Sequence, residues 1–177
     1  MYLCPAQHDF KIDNLLSFVE KIRDIKFISK KIETLQANNN YMTGDSFLEY
    51  ISYMGCSPAI QFEPDENNKE FCHIKIHQYE TAKLIVSNKQ ARAPHCPVCE
   101  KPVKNWQQKK SDAGIYCDHC NNSSNIEAFN WRKMAGYAQL YIEITDIFPK
   151  EAVPQQTLLD KLTAITNVKW LYFYCCR

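Results

Sequence analysis

The sequence contains only four glycines, and none of them belongs to a glycine-rich motif that cradles nucleotide phosphates. No apolar run approaches the ~20 residues that a membrane-spanning helix needs, and the N-terminus lacks the basic and apolar regions of a secretory signal. The net charge is only +1, so no overall field attracts nucleic acid or an anionic membrane. These absences argue against a nucleotide-dependent enzyme, a membrane protein and a secreted protein.

Cysteine, by contrast, is abundant. The chain has nine cysteines, an odd number that does not fit a closed set of disulfides. Free thiols are typical of a reducing compartment, so we expect a cytoplasmic protein. The apolar fraction of 45% is ordinary for a globular domain, and a chain of 177 residues can bury a real core.

Four of the cysteines form two Cys-x-x-Cys pairs. Cys96 and Cys99 make the first pair, Cys117 and Cys120 the second, and seventeen residues separate them. Each pair can wrap a tight turn around one metal ion, and two such knuckles complete a tetrahedral site of four thiolates. The spacing therefore predicts one zinc ion. Because four sulfurs leave no open position for water or substrate, this zinc is expected to be structural.

The stretch from about 92 to 125 resembles a zinc ribbon, and the resemblance covers about a fifth of the chain. Such ribbons often carry glycine after each second cysteine, where this chain has Glu100 and Asn121. Asparagine tolerates a left-handed conformation and glutamate does so poorly, so we expect an irregular first knuckle. His95 and His119 lie close by, but four thiolates already fill the tetrahedron, so neither is expected to bind the metal.

Outside this stretch, hydrophobic periodicity predicts both helices and strands. Helices are expected over 12–22, from a capping box at Ser46 to a cap at Gly55, and from Pro154 in a first turn. Strands are expected over 59–63, 71–77, 83–86, 138–148 and 168–176.

This order predicts an α+β fold with a mainly antiparallel sheet, packed helices and an inserted zinc ribbon. Residues 1–91 and 126–177 would form one domain and 92–125 the insertion. The strand at 168–176 is apolar on both faces, which favours a central position. His73, His77 and Glu143 fall on the outer faces of their strands and are expected to be solvated.

The hairpin between the knuckles carries four lysines and a tryptophan, and no acid separates them. These are Lys101, Lys104, Trp106, Lys109 and Lys110. Lysines that contact phosphates beside an aromatic ring that stacks on bases are ingredients of single-strand binding. The same residues also suit a solvated hairpin, with Trp106 packed across the ribbon to shield the zinc.

The sequence offers no nucleophile with a nearby base and no spaced pair of acids, which disfavours an enzyme. We therefore expect a non-enzymatic zinc-binding protein that acts as a binding or adaptor module for a protein partner. A nucleic-acid-binding accessory factor is the alternative, and it would use the lysine and tryptophan hairpin. An enzyme whose site is assembled from residues far apart in sequence is the third hypothesis.

Overall fold

The computed structural model describes residues 1–33, 39–53, 60–64, 70–87, 92–111, 114–147 and 152–175. The chain divides into two compact units. The first comprises Met1–Ala82 and Ala138–Tyr172, the second Lys83–Tyr137 and Phe173–Arg177. Among the described residues, none of the helices is both long and apolar enough to cross a bilayer.

Eleven strands and three α-helices occur in the described part of the chain. In chain order they are β1 (Tyr2–Pro5), α1 (Leu15–Asp24), β2 (Ile28–Lys31), β3 (Asn40–Thr43), α2 (Phe47–Tyr50), β4 (Ile51–Tyr53), β5 (His73–Val86), β6 (Lys110–Ser111), β7 (Gly114–Cys117), β8 (Asn122–Ser124), β9 (Ala135–Ile144), β10 (Ala152–Pro154), α3 (Gln156–Thr166) and β11 (Trp170–Phe173). Two 3₁₀ turns, Trp106–Lys109 and Ile126–Ala128, flank the short strands of the second unit.

The first unit is built on a six-stranded sheet in the order β11-β1-β9-β5-β3-β2. Strand β1 pairs antiparallel with β9, and β3 pairs antiparallel with both β2 and β5. A separate antiparallel pair joins β10 to β4. Helices and mainly antiparallel sheets together confirm the predicted α+β class.

Helix α1 forms where the sequence provides both a cap and an apolar stripe. The side chain of Asn14 accepts a hydrogen bond from the backbone N–H of Ser17 at 3.0 Å, which satisfies one free donor of the first turn. Phe18, Val19 and Ile22 form the buried stripe, and the Phe18 ring stacks on Trp170 with centroids 6.3 Å apart.

Helix α3 buries Leu158, Leu159 and Leu162, as the periodicity predicted. It ends at Asn167, whose left-handed φ of 59° suits asparagine at a helix C-terminus. Pro154, however, does not lie in its first turn. Proline is the last residue of β10 and pairs with Ile51 of β4, so the helix begins only at Gln156.

The predicted helix from Ser46 is a single turn. The Ser46 side chain makes no capping hydrogen bond, and α2 runs only from Phe47 to Tyr50. Ile51 follows immediately as the first residue of β4, because pairing with β10 replaces further helical turns. The predicted end of this helix at Gly55 lies outside the described residues.

Strand β5 is one continuous strand of 14 residues, where the sequence predicted separate strands at 71–77 and 83–86. Residues 60–63, the described part of the strand predicted at 59–63, are not in a strand. The Gln61 carbonyl accepts a hydrogen bond from the Cys72 N–H at 2.7 Å.

Strand β11 lies at the edge of the six-stranded sheet, so its predicted central position is wrong. Leu171 is 46% exposed, whereas Trp170 and Phe173 are buried. One face of the strand is therefore covered, and solvent reaches the other face at Leu171. The interior positions belong to β1, β9, β5 and β3.

His73 and Glu143 are buried, although both were expected at solvated faces. Their exposed fractions are 8% and 5%. Both lie in interior strands of the sheet, where alternation no longer separates a wet face from a dry one. A Glu143 carboxylate oxygen lies 2.7 Å from Nε2 of His77, so the buried acid has a polar partner.

The His73 ring is held on one side only. Its Nδ1 lies 2.9 Å from the carbonyl of Phe71 and 2.9 Å from Oγ1 of Thr145. Its Nε2 has no hydrogen-bond partner among the described residues. Burial therefore lowers the pKa of His73, because an imidazolium would need a second acceptor; the Phe71 carbonyl opposes that shift.

This burial predicts that the protein loses stability in mild acid. Since the folded state resists protonation of His73, the unfolded chain binds that proton more readily once the pH falls below the usual histidine pKa of 6.5. The free energy of unfolding should then fall by up to about 1.4 kcal/mol per pH unit. Urea unfolding at about pH 7.5 and about pH 5.5 measures this, and His73→Gln should show a smaller difference. Parallel behaviour of the two proteins would contradict it.

Candidate metal centre

The first knuckle is a tight turn between two paired segments. His95 and Pro102 form an antiparallel bridge on either side of it. Within the turn, the Glu100 N–H donates to the Cys96 carbonyl at 3.0 Å, and the Val98 N–H points at the Cys96 sulfur at 3.4 Å. This geometry turns the sulfur toward the inside of the loop.

The second knuckle closes the β7–β8 hairpin. Cys117 at the end of β7 pairs with Asn122 of β8, and the Asn121 N–H donates to the Cys117 carbonyl at 2.9 Å. The start of β7 depends on Gly114, which has φ of +117°. A Cβ there would lie 2.2 Å from the carbonyl oxygen of Ser124, so the two strands approach too closely for any other residue.

Both knuckles end with the same backbone conformation. Glu100 has φ of 57° and Asn121 has φ of 56°. The expected irregularity of the first knuckle is therefore wrong: glutamate adopts the left-handed turn, and the strain is carried by this residue instead of being avoided.

The four cysteine sulfurs form one cluster. All ligand atoms of Cys96, Cys99, Cys117 and Cys120 lie within 4.8 Å of one another. The Cys96–Cys120 and Cys99–Cys117 sulfur pairs are each 3.7 Å apart. Four sulfurs at ~2.3 Å from a central ion in a tetrahedron would be ~3.8 Å apart, so the donor set fits a metal ion of that size. The structure thus brings together all four predicted ligands.

The surroundings favour a thiolate in this cluster. Burial raises the pKa of Cys96, but the backbone N–H groups of Cys99 and Val98 and the neighbouring thiols outweigh it and lower that pKa to about 7. Burial and the sulfurs of Cys99 and Cys96 raise the pKa of Cys120 to about 12. Four thiolates cannot form so close together without a cation, which is the charge that a divalent metal supplies.

A small apolar core supports the cluster from below. Cys96 and Cys117 belong to it directly. Its other buried members are Val103, Trp106, Ile115, Phe129, Trp131 and Ala135. The Trp106 and Trp131 rings meet edge to face, with centroids 4.9 Å apart, and the Trp131 indole N–H donates to the Ile126 carbonyl at 3.0 Å. Two large rings therefore pack beside the sulfurs.

Trp106 is 5% exposed, which favours the packing role over the stacking role weighed for it. A ring without an open face has no surface on which a base could stack. The lysines of the hairpin differ among themselves. Lys101, Lys104 and Lys110 are exposed, whereas Lys109 pairs with the Asp118 carboxylate. Nucleic-acid binding by this hairpin stays a prediction.

The two nearby histidines are placed outside the sulfur cluster. His119 is exposed within the second knuckle. His95 lies between two neighbouring segments, with antiparallel bridges to Pro102 and Asn130. In the described part of the chain, the group of side chains that can hold a metal consists of the four cysteines alone.

Sequence reasoning missed one backbone feature of this unit. Arg132 and Lys133 both have positive φ, of 50° and 59°. The Met134 N–H donates to the Trp131 carbonyl at 2.9 Å, which closes a tight turn around them. Two-residue turns of this kind normally carry asparagine and glycine, so an Arg-Lys pair gives no signal in the sequence.

Comparisons with protein-family models, with curated proteins and with solved structures gave no match. The function must therefore be argued from the geometry of the site.

The strained knuckle residue generates a prediction. Glu100→Gly should raise the free energy of unfolding of the metal-loaded protein by about 0.5–1 kcal/mol, because relief of left-handed strain exceeds the extra entropy of glycine in the unfolded chain. Urea unfolding with the metal bound measures this. Glu127→Gly is the matched control: Glu127 lies in a 3₁₀ turn without positive φ, so that change should destabilise instead. Equal effects of the two changes would contradict the strain argument.

Proposed function

We propose that Cys96, Cys99, Cys117 and Cys120 bind one structural zinc ion, and that the surrounding segment is a zinc ribbon attached to an α+β unit. The observation that carries this proposal is the sulfur spacing of 3.7 Å in two pairs, close to the edge of a zinc–sulfur tetrahedron. Zinc is the metal that proteins most often hold with four thiolates on two knuckles.

A four-sulfur site supports the role of a scaffold. With every tetrahedral position taken by cysteine, the metal has none left for water or substrate. The zinc would instead fix two tight turns that have too little apolar surface to hold themselves. We therefore propose a binding or adaptor module, located in the reducing environment of the cytoplasm, where the thiols stay available for zinc.

Exposed apolar side chains on the ribbon support a protein partner. Val98, in the first knuckle, is 58% exposed, and Tyr116, on β7, is 41% exposed. The Tyr116 hydroxyl donates to the Asn121 side chain at 2.9 Å, which holds the ring at the second knuckle. A partner could bury both side chains without rearranging the ribbon. Nucleic acid is the second candidate, favoured by the exposed lysines of the hairpin.

The zinc site predicts a simple change in metal content. The purified protein should carry a single zinc ion per chain, and Cys99→Ser should lose most of it, because a serine hydroxyl is a poor substitute for a thiolate. Elemental analysis after exhaustive dialysis measures this. Cys175→Ser is the control, since Cys175 lies outside the four-cysteine cluster and its loss should leave zinc unchanged. Equal zinc content in the three proteins would end the proposal.

Chelation should act locally. The first unit buries its own core of large side chains, among them Leu3, Phe27, Leu140 and Trp170, and does not need zinc to do so. We expect a chelator to accelerate amide hydrogen exchange over 92–125, while β1 and the 138–144 part of β9 stay protected. Loss of protection throughout the chain in one transition would show that the ribbon is not an insertion of separate stability.

A further inference from the structure

The net charge of +1 conceals an uneven distribution. The second unit has ten basic and four acidic residues, a formal net charge of +6. The first unit has eleven basic and sixteen acidic residues, a net charge of −5. Four thiolates around a divalent zinc would carry two negative charges, so the loaded ribbon unit still has an excess of about four positive charges. The near-zero net charge of the whole chain therefore does not exclude an anionic partner for this unit.

Part of this charge lies on one side of three neighbouring segments that two isolated β-bridges join. His95 bridges Pro102 on one side and Asn130 on the other, so three segments run side by side with His95 in the middle. The Val103 N–H donates to the Pro94 carbonyl at 2.9 Å, which continues the first ladder. On the other side the backbone pairing ends after Asn130: the Arg132 N–H donates to Asn130 Oδ1 at 2.9 Å, and the Arg132 guanidinium reaches back to the Ala93 carbonyl at 3.1 Å. Lys104 and Arg132 thus each lie two residues beyond a bridged residue, in turns on either side of Ala93, and we call these three residues a row.

The two faces of these segments differ completely. The inner face is buried and includes members of the core beside the metal cluster: Pro94, Cys96, Val103, Phe129 and Trp131. The outer face is defined here by six residues that are exposed or half-buried: Ala93, His95, Pro102, Lys104, Asn130 and Arg132. The outer face contains two cations and no acid.

The described acids of the second unit are placed elsewhere. Glu100 belongs to the first knuckle, Asp118 pairs with Lys109, and Glu127 lies in the second 3₁₀ turn. Lys109, which the sequence singled out, is thus neutralised, whereas Lys104 and Arg132 stand without an acid in their row. The outer face is therefore one exposed part of this basic unit whose cations have no described acid beside them in sequence.

The tight turn at Arg132 and Lys133 places two cations next to the outer face. Both residues adopt a left-handed conformation that arginine and lysine disfavour. The turn is closed by the Met134 N–H, and the Lys133 carbonyl accepts a hydrogen bond from the Tyr174 N–H at 2.9 Å. The chain thus keeps two cations at a position where asparagine and glycine would be more stable. Local strain kept in this way is typical of binding sites.

We propose that the outer face, together with the adjoining Lys133, binds the phosphate backbone of a nucleic-acid duplex, with Lys104, Arg132 and Lys133 as the phosphate contacts. Lys104 and Arg132 follow the two segments that flank His95, and two strand spacings of ~4.8 Å place these segments about 10 Å apart, so the two side chains can reach different phosphates of one duplex. The guanidinium has five N–H donors and its bond to Ala93 uses one, so others can meet a phosphate. This proposal deepens the second candidate function, nucleic-acid binding, and rests on the zinc ribbon being formed.

A duplex fits this face better than a single strand. Recognition of single strands depends on aromatic rings that stack on bases, but Trp106 and Trp131 are buried in the core. A sheet face with cations and no open ring can contact a regular row of phosphates without reading bases. We therefore expect binding that depends on salt and is indifferent to sequence.

The test separates loss of charge from loss of folding. In the double variant Arg132→Asn with Lys133→Gly, two cations are replaced by the residues that this turn prefers, so the gain in turn stability should offset the lost Arg132–Ala93 hydrogen bond and keep the ribbon folded. The matched control is Lys109→Gln with Lys110→Gln, which removes two cations of the same unit outside the outer face. Lys104→Gln tests the other end of the row. Each zinc-loaded protein is titrated by fluorescence anisotropy with a 20-base-pair DNA duplex, the corresponding RNA duplex, a single-stranded oligothymidylate and poly-glutamate.

The proposal predicts that both duplexes bind more tightly than oligothymidylate or poly-glutamate. The turn variant should bind duplex at least tenfold more weakly at low salt, with a salt slope that falls by about 0.9 for each lost phosphate contact. The hairpin control should change affinity less than threefold.

Absence of duplex binding by a protein that retains its zinc would overturn this inference and leave the ribbon intact. Equal binding of poly-glutamate would identify an acidic protein surface as the partner, and equal loss in the control would show unspecific attraction; either result would also overturn it. A purified protein that binds no zinc would contradict the zinc ribbon on which this inference rests.

Discussion

The contact among four cysteine sulfurs is the constraint on which the second unit depends. Cys96 and Cys117 are at once members of its small apolar core and donors of the metal cluster, so the packing beneath the knuckles and the charge within them are linked. Without a cation, the approach of four sulfurs within 4.8 Å is compatible with only partial ionisation. With one, the thiolates, the turns that carry them and the two packed tryptophans would stabilise one another. A bound metal would supply here what a larger hydrophobic core supplies elsewhere.

The first unit follows a different physical logic. Its helices and strands bury large apolar side chains. Its buried acid, Glu143, has a polar partner in His77 of the neighbouring strand. The two units also differ in the sign of their charge, which gives the chain a basic part and an acidic part with nearly equal and opposite totals. A near-zero net charge is thus a poor guide to the partners of a protein with two units, because a binding surface responds to the charges within a Debye length of about 10 Å.

How much the sequence predicts depends on whether the cause is local. The cysteine spacing predicts the sulfur cluster, and the apolar spacing of α3 predicts its buried face, because a few neighbouring residues determine each. In α1 the same spacing includes Leu16, which is 75% exposed, so it predicts the helix but only part of the buried face. The edge position of β11, the single turn of α2 and the burial of His73 are set by partners far along the chain, such as the pairing of Ile51 with Pro154. The row from Lys104 to Arg132 depends on a register across three segments. No local sequence pattern encodes that register.

The most direct test of this account is X-ray absorption at the zinc edge on the purified, metal-loaded protein. It measures the identity, number and distance of the atoms bound to the metal, independently of stability or partner binding. We predict a single shell of four sulfur atoms at ~2.3 Å. A shell that contains nitrogen or oxygen, or fewer than four sulfurs, would contradict the closed four-cysteine site.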